Sequence, residues 1–546
     1  MVHLDTSRYA SILEVLATSC QRFADKTAFS CMGQKLSYKE LDTYSRNFAA
    51  YIQHSTDLKP GDRLAIQLPN TLMYPIVVFG ALRAGLVIVN TNPLYSLREM
   101  EHQFNDSRAK GLVVLANMAR KAQKILKLTC IKHVFVTELG DMHPLVQRHI
   151  INLVVKRIKK LVPSYNLPYA VSLRQALQLG SQHEWQECHA QPHELAILQY
   201  TGGTTGIAKG AMLTHANLVA NMLQARTVIA KTLGEGCETI VAPLPMYHIY
   251  TFTVNCMVLM EMGNHSLLIP NPRDLDSFVK ELSRNHFTGF VGLNTLFVAL
   301  CAHPKFKLVD FSALKLTISG GMALTPSAAT TWKNITGCPI AEGYGLTETS
   351  PVVSLNPPEA IQIGTIGKPM PATEVQVIDL AGKVLAQGEA GELCIRGPQL
   401  MRGYWNHAAE TAKVFTDDGW LKTGDIAIIQ ANGYIRLIDR KKDMINISGF
   451  NVYPNEIEEV ISSHPDVLEV AAIGIPDAVT GEALKVFIVS KSNQINLKEL
   501  RYWCRQRLTS YKIPKIIEVR SSLPKTNVGK VLRRQLRDET STKSPG

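Results

Sequence analysis

Apolar positions recur at helical spacing early in the chain, where Leu41, Tyr44, Phe48 and Ile52 follow Ser37 and Glu40 in a capping-box arrangement. A helix with one buried face is predicted there. Next come an apolar run at 64–68, a helical stretch at 74–84 closed by Gly85, a run at 87–89, a helix opening at Ser96, and a run at 112–115. Strand-length runs alternating with helical patterns read as βαβαβ, which requires a largely parallel sheet. From Asn432 the pattern changes: an Asn-Gly turn, an alternating run at 434–438, the charge cluster 439–443, a helix opening at Pro454, strands at 470–475 and 485–489, a helix near 497–508, and a strand at 516–519. The expected fold class is therefore α/β, with a large N-terminal domain of βαβ-type sheets and a β-rich subregion, then a small α+β C-terminal domain. The boundary is placed between 440 and 441.

The stretch 108–190 is less regular. Within it, 150–161 sets Ile151, Val154, Val155 and Ile158 on one side and gathers Lys156, Arg157, Lys159 and Lys160. Such a cationic amphipathic helix fits a membrane surface, and equally a solvated helix packed on its own domain. No stretch spans a bilayer: the most apolar, 75–89, is short of the roughly 20 residues needed and carries Arg83. The first residues lack the basic flank, apolar run and small-residue cleavage pattern of a secretion signal. A cytoplasmic protein is expected, with peripheral contact on the inner face of the membrane left open.

Composition narrows this further. Of 546 residues 46% are apolar and 19% charged, which excludes disordered and collagen-like chains. Ten cysteines without a C-x-x-C pair read as reduced thiols rather than a disulfide frame. The net charge of +12 is unevenly spread: 108–160 and 498–537 each carry +10, leaving the rest mildly acidic. Few aromatic residues stand in the basic segments, so nucleic acid is not expected as a partner.

The densest chemistry lies in LQYTGGTTGIAKG at 198–210. Glycines let backbone N–H groups approach an anion, while hydroxyls and a Lys add donors around phosphate oxygens. The spacing is not that of a Walker A loop, since Ala208 precedes and Gly210 follows Lys209.

This loop resembles the phosphate-binding signature of the adenylate-forming superfamily of acyl-CoA synthetases, luciferases and peptide-synthetase adenylation domains. Further blocks follow in that family's order: PLPMYHIY at 243–250, EGYGLTETSP at 342–351, GYWNHAAETAKVFTDDGWLKTGDIAII at 403–429, LIDRKKDMINISGFNVYPNEIEE at 437–459, and LPKTNVGKVLRR at 523–534. The 418–459 region is most similar to bacterial long-chain fatty-acyl-CoA synthetases. Two positions depart from the family loop, Gly202 where Ser is usual and Ala208 where Pro is usual.

The resemblance implies ATP-dependent ligation of a long-chain fatty acid to coenzyme A through an acyl-adenylate, with release of pyrophosphate and AMP. A medium-chain or aryl acid CoA ligase, or a ligase loading an acyl carrier protein, are its alternatives. It implies ATP contacts at Thr201, Gly202, Gly203, Thr204, Thr205, Gly206 and Lys209, at Gly320 and Gly321 of SGGMAL, and at Glu342, Gly343, Tyr344 and Thr347. Asp425 and Arg440 would hold the ribose, and Glu348 with Thr201 would hold Mg²⁺. A carboxylate attacking a triphosphate needs such charge neutralisation and alignment. Lys530 would be the adenylation lysine, carried by a C-terminal domain that turns about Lys442, and Gly449 would line the CoA channel. His248 would stand near the incoming carboxylate, with Phe252, Val254, Met257, Leu259 and the run 290–300 offering apolar wall.

Overall fold

The first predicted helix forms as Tyr38–Ser55, opened by the expected reciprocal cap: Ser37 Oγ accepts the Glu40 N–H at 3.1 Å and the Glu40 carboxylate accepts the Ser37 N–H at 2.8 Å. Leu41, Phe48 and Ile52 are buried. The computed structural model describes residues 4–6, 8–201, 208–448, 450–477, 479–491, 495–525 and 531–541. Two compact units result, Met1–Glu374 with Arg396–Gly419, and Val375–Ile395 with Trp420–Gly546.

The predicted βαβαβ alternation builds a seven-stranded sheet in the first unit. Its order is Val171–Ser172, His133–Thr137, Ala109–Leu115, Arg63–Gln67, Val87–Asn90, Leu195–Thr201, Lys209–Thr214. Every neighbouring pair is parallel except the last, which is antiparallel. The helix Met73–Arg83 between two of these strands is buried throughout. Its Arg83 is neutralised by Asp42 at 2.5 Å, as a buried guanidinium requires. Among the described residues no helix is long and apolar enough to cross a membrane.

A nine-stranded sheet carries the parallel strands His265–Leu268, Thr239–Ala242, Gly289–Gly292, Leu316–Ser319 and Ile340–Gly345. The fully buried Trp332 packs there against Phe297, Phe290 and Phe306, with ring centroids 4.7, 5.0 and 5.5 Å away. Offset and tilted contacts of this kind hold a core more tightly than area alone predicts.

The helix expected over 150–161 begins earlier, at Leu145, and passes at Leu153 into a π-helical turn, Val154–Ile158. The wider turn shifts the phase of the side chains. Val155 points inward and Ile151 and Val154 are half-buried, but Ile158, assigned to the same side, is 71% exposed.

In the second unit a four-stranded sheet runs Glu374–Ile378, Ala390–Arg396, Leu421–Ile429, Ile435–Arg440, the last three antiparallel in turn. A further sheet pairs Val467–Asp477 with Gly481–Ser490, both longer than expected because each completes the other's hydrogen bonding, and Ile516–Arg520 adds in parallel. The helix Pro454–Ser462 starts with Pro in its first turn, where the missing N–H costs nothing. The helix Leu497–Arg505 stops short of the expected 508. Ile457, Ile461, Val486, Ile488, Leu500 and Cys504 form the core.

Candidate active site

In the first unit the glycine-rich loop is framed by an antiparallel pair of strands that sets Thr201 directly across from Lys209. Gly202, Gly203, Thr204, Thr205 and Gly206 lie outside the described residues. The chain returns to this hairpin from two hundred residues away. The Met212 N–H bonds to Gly403 O at 2.9 Å, Arg402 N–H to Met212 O at 3.0 Å, and Trp405 N–H to Gly210 O at 2.8 Å. Backbone pairing of this kind fixes register, and here it fixes Tyr404 beside Ala211.

Tyr404 then joins two expected site residues. Its ring lies 5.3 Å from the Lys209 ammonium, within cation–π range, and its hydroxyl donates to Glu348 Oε1 at 2.7 Å. Burial, then the Glu348 charge, raise the phenol's pKa, so it stays a donor. Lys209 also pairs with Glu410, which lies in the helix Ala408–Val414. Lys209 and Lys413 hold the Glu410 carboxyl down at about 2.

Glu348 sits in a 3₁₀ turn, Thr347–Thr349, packed on both strands of the hairpin. The turn is tight: a Cβ on Gly345 would come within 2.0 Å of Pro351 O, so no side chain fits there. The Met401 N–H caps the Glu348 carbonyl at 2.8 Å. Thr347 and Tyr344 are half-buried beside it. Glu342 instead turns inward, its carboxylate accepting the Leu324 N–H at 2.9 Å, and burial pushes its pKa up to about 7. Gly343 is in the same strand, Ile340–Gly345, which pairs with Leu316–Ser319. Gly320 follows that neighbouring strand, and a Cβ there would meet the Tyr250 ring at 3.0 Å; Gly321 is exposed with φ near +81°.

His248 opens the helical segment that continues as Phe252–Val258. The residue is exposed, and desolvation by the surrounding protein lowers its pKa. The expected apolar wall, Phe252, Val254, Met257 and Leu259, is fully buried. Between Val254, Leu259, Phe290 and Ile318 the free volume is about 10 Å³, too little for an acyl chain. An open cleft of about 670 Å³ bounded by Arg98, Glu101, His102, Asn105, Asp106 and Arg108 is polar and unsuited to one.

In the second unit Asp425 and Arg440 are cross-strand partners, 2.8 Å apart, with Asp425 only 4% exposed. Lys442 is exposed in the turn Lys441–Asp443. The next residue, Asp443, is held by Arg533 at 3.4 Å and by Arg537. Arg533 also reaches Glu458 at 2.7 Å and Asp439 at 3.6 Å. Gly449 and Lys530 lie outside the described residues.

Sequence reasoning did not single out Tyr404, Glu410 or Arg533. The first two stand inside the block at 403–429, and Arg533 three residues after Lys530, so block membership was their one available signal.

Among the described residues no group of three or more His, Cys, Asp or Glu could hold a metal. Mg²⁺ keeps several waters and takes one or two carboxylates together with substrate phosphates. Glu348 and the Thr201 hydroxyl supply hard oxygen donors of this type.

Comparison with known proteins places this architecture. The family described as AMP-binding enzyme matches residues 16–405, and the AMP-binding enzyme C-terminal domain matches 456–530. The long-chain-fatty-acid–CoA ligase of Haemophilus influenzae is 49% identical over 545 residues, covering 99% of this chain and 97% of that protein. That of Salmonella typhimurium is 47% identical over 541 residues, covering 99% and 96%. The crystal structure of ATP-bound MatB from Rhodopseudomonas palustris matches with a TM-score of 0.80 at 27% identity, over 96% of this chain and 98% of that one. With both its domains matched in order, the chain belongs to the AMP-binding enzyme family.

Proposed function

We propose that this protein is an ATP-dependent long-chain fatty acid to CoA ligase. The observation that carries the reading is near-complete alignment, at 47–49% identity, with proteins named long-chain-fatty-acid–CoA ligase. In the first half-reaction a fatty carboxylate oxygen bonds to the α-phosphorus of ATP and the bond to the β-phosphate oxygen breaks, releasing pyrophosphate. In the second, the CoA thiol sulfur bonds to the acyl carbon and AMP leaves.

Repulsion between the carboxylate and the triphosphate is the barrier to be lowered. Lys209 and the hydroxyls of Thr201, Thr204, Thr205 and Thr347 bind phosphate oxygens. Glu348 and Thr201 hold Mg²⁺, which supplies charge neutralisation when bound, and Tyr404 orients the Glu348 carboxylate. Tyr344 stacks on adenine beside the backbone of Gly320, Gly321 and Gly343. Asp425 accepts from the ribose hydroxyls, with Arg440 orienting it. His248 meets the incoming carboxylate. Lys530 acts on the developing charge at the α-phosphate and Gly449 lines the path of the CoA thiol, with the boundary at 440/441 and Lys442 as hinge. The protein works in the cytoplasm with peripheral contact on an anionic inner membrane face.

ATP–pyrophosphate exchange tests the adenylation step alone. Palmitate without CoA should drive exchange, and CoA should then yield palmitoyl thioester and AMP; exchange independent of any fatty acid, or ADP as product, would refute the reading.

A further inference from the structure

The helix Leu145–Leu153 and its π-helical continuation Val154–Ile158 are held to the body by a narrow side. Asn152 Oδ1 accepts the Gly140 N–H at 2.9 Å, and a Cβ on Gly140 would strike Asn152 and Ile151 at 2.8 and 3.1 Å, so the helix is pressed close against that turn. Val155 alone is fully buried. The opposite side is apolar and bare. Val146, Ile150 and Leu153 are 69%, 55% and 58% exposed, and on an α-helix they lie within about 60° of one another. Leu145, Ile158, Leu161 and Tyr169 are exposed as well.

Contiguous exposed apolar surface of this kind marks an interaction site. Charge says with what. From 142 to 183 the sequence has no Asp or Glu, while Arg148, Lys156, Arg157, Lys159 and Lys160 flank the ridge. Glu138 feels the charges of Lys156 and Arg148, and Asp274 that of Lys159, which still leaves the basic residues in excess. An outward apolar ridge with such an excess beside it is the arrangement that seats a helix in an anionic lipid interface, the ridge entering the acyl boundary and the cations meeting phosphates. A tyrosine beyond the helix suits the headgroup level. We infer that residues 145–161 form the membrane-docking surface of this protein, lying in the plane of an anionic bilayer with Val146, Ile150 and Leu153 inserted. This deepens the membrane contact proposed above and rests on it, but not on the ligase chemistry. Of the expected apolar face, Ile151, Val154 and Val155 turn to the body and Ile158 is exposed, so the docking ridge is the other side of the same helix from the three that pack.

Sedimentation of the full chain with phosphatidylglycerol vesicles and with neutral phosphatidylcholine vesicles tests the surface, with thermal melting as the folding control. Wild type should bind the anionic vesicles. Val146→Ser, Ile150→Ser, Leu153→Ser together should weaken binding about tenfold. Lys156→Gln, Arg157→Gln, Lys159→Gln, Lys160→Gln together should weaken it about a hundredfold, with melting unchanged in both. Wild type failing to bind any vesicle would overturn the membrane contact and this surface with it. Wild-type binding that both variants retain would overturn this surface alone. A concentration-dependent dimer lost in the serine variant, with vesicle binding intact, would assign the ridge to a second copy and likewise overturn it.

Discussion

The Tyr404 hydroxyl donates a 2.7 Å hydrogen bond to the Glu348 carboxylate, across 56 residues of chain. The same ring faces the Lys209 ammonium. A phenol that keeps its proton and touches a carboxylate on one side and a cation on the other fixes both relative to the loop they serve. If Glu348 holds Mg²⁺, removing this donor alone should loosen the metal without disturbing the fold. Tyr404→Phe is expected to raise the Mg²⁺ concentration for half-maximal pyrophosphate release by about ten- to a hundredfold, since one hydrogen bond to a charged group is worth roughly 1.5–3 kcal/mol net of exchange with water. Titration with MgCl₂ at saturating ATP checks it, and an unchanged midpoint would detach Tyr404 from the metal.

Lys530 and Gly449 are assigned to different half-reactions, and each variant should therefore fail at a different step. Lys530→Ala should lose adenylation by about a thousandfold or more, as for a group acting on transition-state charge, while still passing a supplied acyl-adenylate to CoA. Gly449→Leu should keep fatty-acid-dependent exchange and lose thioester formation, because a side chain now occupies a path bounded by backbone. Equal loss of both steps in either variant would contradict the division.

Glu342 gives the molecule a pH signature. Burial raises its carboxyl from 4.5 to about 7, so the folded chain keeps this proton to higher pH than the unfolded chain does. The neutral form's stabilisation is complete below about 4.5 and declines as pH rises towards 7. Glu342→Gln, which keeps the acceptor for the Leu324 N–H, should flatten the fall of melting temperature between about pH 5 and about pH 8, and be the more stable chain at the upper end. Calorimetry across that range measures it, and parallel curves for the two proteins would refute it.

Arg533 gathers Asp439, Asp443 and Glu458 around one guanidinium. Taking away the cation leaves Asp443 to Arg537 but strips Asp439 and Glu458 of their guanidinium where there is little water. Arg533→Met should destabilise the second unit by about 3–5 kcal/mol, read as an early unfolding transition in urea. A variant that unfolds like wild type would show the cluster is solvated.

What could be read from sequence divides along the range of the interaction. The Ser37–Glu40 cap is local and forms as expected, and the helix expected from Ser96 opens there with a reciprocal cap to Glu99. The strand order is not local, but βαβ chirality and alternation limit it enough to anticipate a parallel sheet. At 145–158 the packing of Ile151, Val154 and Val155 fits the reading of a solvated helix packed on its own domain, while the start at Leu145 and the exposure of Ile158 were not legible: apolar residues occupy both sides, and the π-helical turn shifts the phase. Tyr404 was invisible as a partner of Glu348 and Lys209 because their meeting depends on residues 402–405 returning to pair beside the loop hairpin. The inward turn of Glu342 depends on the Leu324 N–H, set by the adjoining strand connection, which no motif carries.

CoA-dependent AMP formation across carboxylic acids from acetate through octanoate, benzoate and palmitate to oleate measures whether a long-chain fatty acid is joined to CoA through an adenylate. Palmitate and oleate should give the highest kcat/KM, with AMP, pyrophosphate and thioester in equal amounts. A preference for acetate, octanoate or benzoate, or AMP formed without thioester, would contradict it.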